Sequence, residues 1–179
     1  LRHATSKIKS DEDLNSIATL GFRGEALAAV SSVSKVEIMT STKDSDTGTH
    51  YVIEGSEEKL YEEIGCPKGT TIIIRDIFYN TPARMKFLKK DVSEANACAA
   101  VIDRIALSHP EVSFKFIRDS KQTLITSGDN DIKSVVYSVL GREFSGSLIE
   151  VKGENSSVSV SGLTCKPFAC RPTRNNQFT

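Results

Sequence analysis

Apolar and polar positions alternate along Val36-Glu37-Ile38-Met39-Thr40, the two-residue period of a half-buried strand. Asp44-Ser45-Asp46-Thr47-Gly48 is a turn, and Tyr51-Val52-Ile53 predicts a second strand after it. Thr70-Thr71-Ile72-Ile73-Ile74 is an unbroken β-branched run that predicts a central strand, stopped by Asn80-Thr81-Pro82. From Asp91 the period becomes helical. Asp91 with Glu94 predicts a capping box, Cys98, Val101, Ile102 and Ile105 an apolar stripe, and His109-Pro110 the end. Val112, Phe114 and Phe116 predict a further strand, with Leu124-Ile125 in its hairpin partner. Upstream, residues 1–19 are polar and irregular, with Ser10-Asp11-Glu12-Asp13 a turn or short helix start. Gly21-Phe22-Arg23-Gly24 then feeds Glu25-Ala26-Leu27-Ala28-Ala29-Val30, a good helix former.

A break comes at Gly128-Asp129-Asn130-Asp131. Beyond it Ile132, Val135, Val136, Val139 and Leu140 predict a short helix closed by Gly141, and strands follow at about 147–151 and 157–163. The first stretch reads as strands on one side and helices on the other. The second reads as the start of another α+β unit. The expected division is therefore residues 1–129 and 130–179, with no internal repeat.

Composition narrows the function only a little. A hydrophobic share of 39% over 179 residues is enough for a sizeable core. Lys plus Arg and Asp plus Glu stand at 23 each, so overall charge gives no argument for nucleic acid. No apolar run approaches the ~18 residues of a membrane span, and no secretory signal opens the chain. Cys66, Cys98, Cys165 and Cys170 form no C-x-x-C pair, and no histidine stands near Cys165 and Cys170 to complete a zinc set. They read as reduced thiols of a cytosolic protein, Cys98 buried on its helix face. The opening at Leu1, without Met, and the end at Asn175-Asn176-Gln177-Phe178-Thr179 read as cuts at both ends.

Three stretches could carry chemistry. In Gly21-Phe22-Arg23-Gly24-Glu25 the glycines let the backbone approach a ligand, and the helix behind adds free N–H donors and the positive end of its dipole. Together these could cradle a polyphosphate. Taken alone, two glycines before a helix read first as an ordinary turn, and the chain has no G-x-x-x-x-G-K-[ST]. Arg2-His3-Ala4-Thr5-Ser6-Lys7-Ile8 offers hydroxyls and cations, or is simply a solvated loop; nothing sets His3 beside a nucleophile. Phe78-Tyr79-Asn80-Thr81-Pro82-Ala83-Arg84, continuing through Met85-Lys86-Phe87-Leu88-Lys89-Lys90, mixes aromatic and basic residues. It reads as a nucleic-acid surface or, more simply, as a strand end, a proline turn and a helix start. Thr70-Thr71 reads as β propensity or as a hydroxyl offered to a base edge.

These stretches closely resemble the signatures of the MutL family, in the family's order. They are Arg2 to Ile8, Leu20-Gly21-Phe22-Arg23-Gly24-Glu25-Ala26-Leu27, Gly69-Thr70-Thr71, Phe78 to Arg84, and Lys86-Phe87-Leu88. The match is looser later, through the helix at 132–140 and Arg171-Pro172 to Gln177. The family is a branch of the GHKL ATPases, and Glu-Ala-Leu in place of the last glycine region of the phosphate loop favours MutL over its cousins.

The resemblance implies an α+β chain. It would be a two-layer α/β sandwich of GHKL (Bergerat) type, incomplete at its N-terminus, followed by the start of a ribosomal-S5-like α+β domain. It implies an ATP-binding, slowly hydrolysing switch of DNA mismatch repair that couples mismatch recognition by a MutS homologue to strand processing. DNA would be a partner, as would a second copy or a MutL-family heterodimer partner, with no membrane. Location would be cytoplasmic in a bacterium and nuclear in a eukaryote. Gly21, Phe22, Arg23, Gly24, Glu25, Ala26 and Leu27 would bind the phosphates. Thr5 would lie at the pocket in the mobile lid, and Thr70 on the adenine side. Arg84 and Lys86-Phe87-Leu88 would be structural, Phe87 and Leu88 being core-type residues.

The family's general-base Glu, its Mg2+-binding Asn and its adenine-reading Asp would precede Leu1, and its γ-phosphate lysine would follow Thr179. The 179-residue chain alone is therefore expected to hydrolyse no ATP. The alternative is a nucleotide-independent DNA- or protein-binding adaptor using Arg84, Lys86, Lys89 and Lys90.

Overall fold

The computed structural model describes residues 8, 10–17, 21, 24–172 and 177–178. They divide by internal packing into two compact units, Leu1–Leu88 and Lys89–Thr179.

In the first unit the predicted short helix start is a 3-10 helix at Asp11–Ser16, and the alanine-rich stretch becomes helix α1, Ala26–Ser31. Four antiparallel strands follow: β1 (Lys35–Ser41), β2 (Gly48–Glu54), β3 (Glu57–Ile64) and β4 (Gly69–Arg75). Their order in the sheet is β3-β2-β1-β4. The Thr70–Ile74 run is thus an edge strand of this sheet rather than a central one, paired with β1 alone among the described strands. An unbroken β-branched run favours extended backbone but does not determine how many neighbours a strand has; Ile72 and Ile74 remain 48% and 49% exposed. Strand β3, Glu-Glu-Lys-Leu-Tyr-Glu-Glu-Ile, carries too little apolar signal to be seen in the sequence, and it forms because the Gly55-Ser56 turn folds it back on β2.

Cross-strand register gives the sheet two unlike faces. Val36, Ile38 and Thr40 stand opposite Ile53, Tyr51 and Thr49 on one side and Ile74, Ile72 and Thr70 on the other. This face is apolar, with Val36 buried under the packed end and Tyr51 set edge-on to Tyr61 at 6.1 Å. The alternate positions carry charge. Arg75 on β4 donates to Glu37 on β1 at 3.0 Å. Glu37 meets His50 on β2 at 3.1 Å, and His50 meets Glu62 on β3 at 3.1 Å. One polar ladder therefore crosses all four strands.

After β4 the chain makes a tight turn and enters helix α2, Pro82–Phe87, with proline in the first helical turn where its missing N–H costs nothing. Phe87 is 87% exposed and Leu88 is also exposed, so neither is the core residue its type suggests. Phe87 is the last residue of this short helix and Leu88 its C-cap, and no residue of the helix is buried.

The second unit begins with α3, Asp91–Ser108. Its N-cap is Lys90, not Asp91, and Glu94 accepts from the Lys89 N–H at 2.8 Å, two positions upstream of the residue the expected capping box would use. The stripe is also offset. Cys98, Val101 and Ile105 are exposed, while Ala95, Ala99, Ile102 and Ala106 turn inward, Ala106 completely. Small residues let the helix approach its neighbours closely, and the larger apolar side chains at its margin stay outside. The next strand, β5, is Lys115–Arg118, shorter than the alternation of Val112, Phe114 and Phe116 implied. Before it the backbone is tied instead by buried Thr126, whose hydroxyl accepts from the Phe114 N–H at 2.9 Å and donates to the Val112 carbonyl at 3.2 Å. Strand β6, Lys121–Ile125, is the expected hairpin partner.

Helix α4, Ile132–Leu140, is capped by Asp131, which accepts from the Lys133 N–H at 2.9 Å, and ends at Gly141 with φ +85°. Val135 and Val136 are its buried residues. A short helix α5, Arg142–Ser145, leads into the antiparallel pair β7 (Leu148–Glu154) and β8 (Ser159–Cys165).

Candidate nucleotide-binding segment

Gly24 sits two residues before the first residue of α1 with φ +66°, a left-handed backbone that an L side chain adopts only under strain. Glu25 is the N-cap residue and Ala26 the first helical residue, so the loop turns into the helix at Gly24. The first-turn N–H groups of any helix lack intrahelical acceptors, and here they belong to Ala26, Leu27 and Ala28, with the Leu27 side chain exposed. Gly21 is exposed and irregular. Thr5, Phe22 and Arg23 lie outside the described residues.

The far end of α1 is held from two directions. Ser56 N–H donates to the Ser31 carbonyl at 3.0 Å and Gly55 N–H to the Ser34 carbonyl at 3.2 Å, both from the β2–β3 turn. From the segment after β4, Phe78 N–H donates to the Val33 carbonyl at 2.6 Å, and Asn80 Nδ2 to the Ser32 carbonyl at 2.9 Å. These bonds satisfy carbonyls that the helix end would otherwise leave to solvent. The Phe78–Arg84 motif thus acts as a pedestal under the α1–β1 junction.

Its backbone is bent to do so: Asp76 and Phe78 have φ +54° and +66°. Lys35 pairs with Asp76 at 2.8 Å and lies 5.3 Å from the Tyr79 ring centroid. The pairing with Asp76 raises the Lys35 pKa above its ordinary value. Arg84 stands over the Phe78 ring at 5.9 Å, a packing role. Gly55 is required here. Its φ is +56°, and a Cβ would come within 2.8 Å of Asn80 Nδ2 and 2.9 Å of the Tyr79 hydroxyl. Sequence reading singled out the Phe78–Arg84 motif but not Gly55, Lys35 or Asp76, whose part depends on contacts distant in the chain.

Thr70 lies on the apolar face, its hydroxyl 2.8 Å from that of Thr40. On the opposite face the Arg75 guanidinium, and then His50, hold the Glu37 carboxyl below its ordinary range. Glu62 and Glu37 raise the His50 pKa against the opposing effect of desolvation. Among the described residues no group of three or more His, Cys, Asp and Glu could hold a metal ion. A cleft of the second unit, between α4 and the β7–β8 pair, is lined by none of the nucleotide residues expected from the sequence. No described helix is long and apolar enough to cross a membrane.

No protein-family model matches the chain. Individual relatives do. The chain is 51% identical over 97% of its length to the DNA mismatch repair protein MutL of Agathobacter rectalis. It is 45% identical over 99% to that of Caldanaerobacter subterraneus subsp. tengcongensis. The chain belongs to the MutL family. It spans 27% and 30% of the length of these two MutL relatives. Among solved structures it is similar to the Aquifex aeolicus MutL ATPase domain complexed with ADP, with TM-score 0.62 and 28% identity, covering 81% of this chain and 56% of that one. The N-terminal domain of a DNA repair protein shares the fold at TM-score 0.69 and 23% identity, over 98% of this chain and 56% of that one. The α+β expectation and the MutL ATPase fold agree with these likenesses.

Proposed function

We propose that this chain is the phosphate-side and adenine-side part of an ATP-driven switch in DNA mismatch repair. The observation that carries the reading is Gly24 in left-handed backbone at the mouth of α1, with the other end of that helix fixed by Phe78, Asn80 and the Gly55-Ser56 turn. A polyphosphate needs N–H donors that are aimed before it arrives, and a helix clamped at its far end keeps them aimed. Gly21 to Leu27 bind the phosphates, and Thr5 belongs to the lid over the pocket. Thr70, its hydroxyl already oriented by Thr40, serves the adenine side next to the apolar strip of Ile38 and Ile72.

The division of labour follows the family. The ATPase part runs to residue 129, and the following S5-like part begins at 130, where Gly128 and Asn130 turn the backbone with φ +71° and +61°. The general base and the Mg2+ ligand are supplied by residues this chain does not contain. Glu25, at the N-cap of α1, belongs to the loop-to-helix element and is not the water-activating base. The whole protein acts in the cytoplasm of a bacterial cell. It dimerises with ATP bound, takes its signal from a MutS homologue on DNA, and resets on slow hydrolysis.

ATP turnover with Mg2+ tests this on two chains: these 179 residues, and a longer chain extended through the family's upstream motifs and its second domain. Slow turnover in the longer chain only, abolished by Gly24→Pro and Arg23→Glu, is the expected result. A folded longer chain that neither binds nor hydrolyses ATP sinks the switch. The nucleotide-independent adaptor, with Arg84, Lys86, Lys89 and Lys90 as its cations, would then be preferred if DNA binding falls steeply with salt and ignores nucleotide.

A further inference from the structure

Cys165 closes β8, and Cys170 follows a single 3-10 turn at Pro167–Ala169. Their sulfurs lie 3.7 Å apart. The backbone between them is already ordered to hold them there. Lys166 N–H donates to the Ser147 carbonyl at 2.9 Å, extending the β7–β8 ladder past its last strand residue. Ala169 N–H donates to the Lys166 carbonyl at 2.9 Å and Cys170 N–H to that of Pro167 at 3.3 Å. Pro167 fixes its own φ at the start of the turn and so removes freedom the pair would otherwise lose on closing.

Both sulfurs can be reached. Cys170 is exposed, Cys165 is half-buried, and both line the open cleft of the second unit. Among the described residues no histidine or carboxylate joins them in a metal set. Next to Cys170, Arg171 pairs with Glu143 at 3.3 Å and stands 5.0 Å from the Phe144 ring centroid. The turn therefore links the end of β8 to α5.

We propose that Cys165 and Cys170 are a redox modification site, forming a reversible disulfide that clasps the Lys166–Ala169 turn to the end of β8, with a hydroperoxide as oxidant. The Cys165 thiolate attacks one peroxide oxygen, and the O–O bond breaks. The departing hydroxide takes a proton from solvent, and Cys165 becomes a sulfenic acid. The Cys170 sulfur then attacks the Cys165 sulfur, the S–S bond forms and the S–O bond breaks. The hydroxyl leaves with the Cys170 proton as a second water. Two thiols are oxidised and one peroxide is reduced to two waters. The contact with the neighbouring sulfur raises the Cys170 pKa above its ordinary value.

The test is thiol mapping on the whole 179-residue chain. The chain is treated with hydrogen peroxide, quenched with an alkylating agent and digested, and its peptides are weighed. The expected result is loss of two hydrogens in the peptide carrying both cysteines, reversed by dithiothreitol. Cys98, an exposed thiol, is the internal reference: once oxidised, its sulfenic acid persists roughly tenfold longer than that of Cys165, because at Cys165 the resolving sulfur is already in place. In Cys170→Ser, Cys165 stops at a sulfenic acid that dimedone traps. Denaturant should erase most of this difference, which separates folded geometry from nearness in sequence. A Cys165 sulfenic acid that dimedone traps in the unsubstituted chain as readily as that of Cys98, with no disulfide to Cys170, overturns the proposal. So does a disulfide formed with Cys66 or with another chain, or a difference in persistence that survives unfolding.

Discussion

The two faces of the four-stranded sheet are built from the same strands, residue by residue, and hold together by different means. The face of Val36, Ile38, Tyr51, Ile53, Ile72 and Ile74 gains from removing apolar surface from water, and that gain is large only where something covers it. Val36 is covered and 1% exposed, whereas Ile72 and Ile74 on the edge strand are half open. The opposite face carries the Arg75–Glu37–His50–Glu62 ladder, which satisfies its charges laterally and needs no cover. A sheet made this way has one side that tolerates water and one that gains from being covered.

The comparison breaks most sharply at Val36. Val36→Asp would bury a carboxylate with no partner in place, and we expect a loss of about 3 kcal/mol or more, read as a lower urea midpoint. A charge swap on the ladder face should move the midpoint far less. If the two shifts are alike, the faces are not energetically distinct.

The pedestal comes next. Gly55→Val forces a β-branched residue into φ +56° and its Cβ into Asn80 and Tyr79, at an expected cost of about 2 kcal/mol. Hydrogen exchange should quicken at Ser32 and Val33 more than in mid-strand β1, because the α1–β1 junction loses its support. Uniform exchange across the sheet would show that the pedestal does not act on α1 in particular.

The smallest effect is the pH dependence of the ladder. The folded pKa of His50 is raised above 6.5, so its contribution is complete below 6.5 and is lost as pH rises through the raised value. That of Glu37 is lowered below 4.5, so its contribution is complete above 4.5 and is lost as pH falls through the lowered value. Both are in force between 4.5 and 6.5, and the urea midpoint should ease downward above that window. His50→Gln should flatten the alkaline side of the curve. A midpoint that rises with pH across the titration of His50 contradicts the pairing.

Individual elements show how far the sequence could be read. The period of two in Val36–Thr40 and the helical spacing in Ile132–Leu140 were legible because each element buries one side against its own unit. Cys98, Val101 and Ile105 misled, because helical spacing identifies a stripe but not which of two adjacent stripes packs inward. The alanines took that place. Strand β3 was invisible, since its pairing with β2 is made by backbone groups that every residue carries. Of the candidate site, the glycine loop, Thr70 and the Phe78–Arg84 motif were legible as words in a family's order.

The sequence by itself determined the family, the α+β alternation, the glycine-to-helix junction and the positions of most strands and helices. These depend on local periodicity, backbone preference and short motifs, all written in neighbouring residues. Only the tertiary structure decided that β4 lies at an edge, that Asn80 and Gly55 serve α1, that four charged residues form one ladder, and that Cys165 meets Cys170. Each of these is a distance between side chains and backbone groups set by strand register and turn geometry. The chain closes those distances only when it folds, and no residue type announces them beforehand.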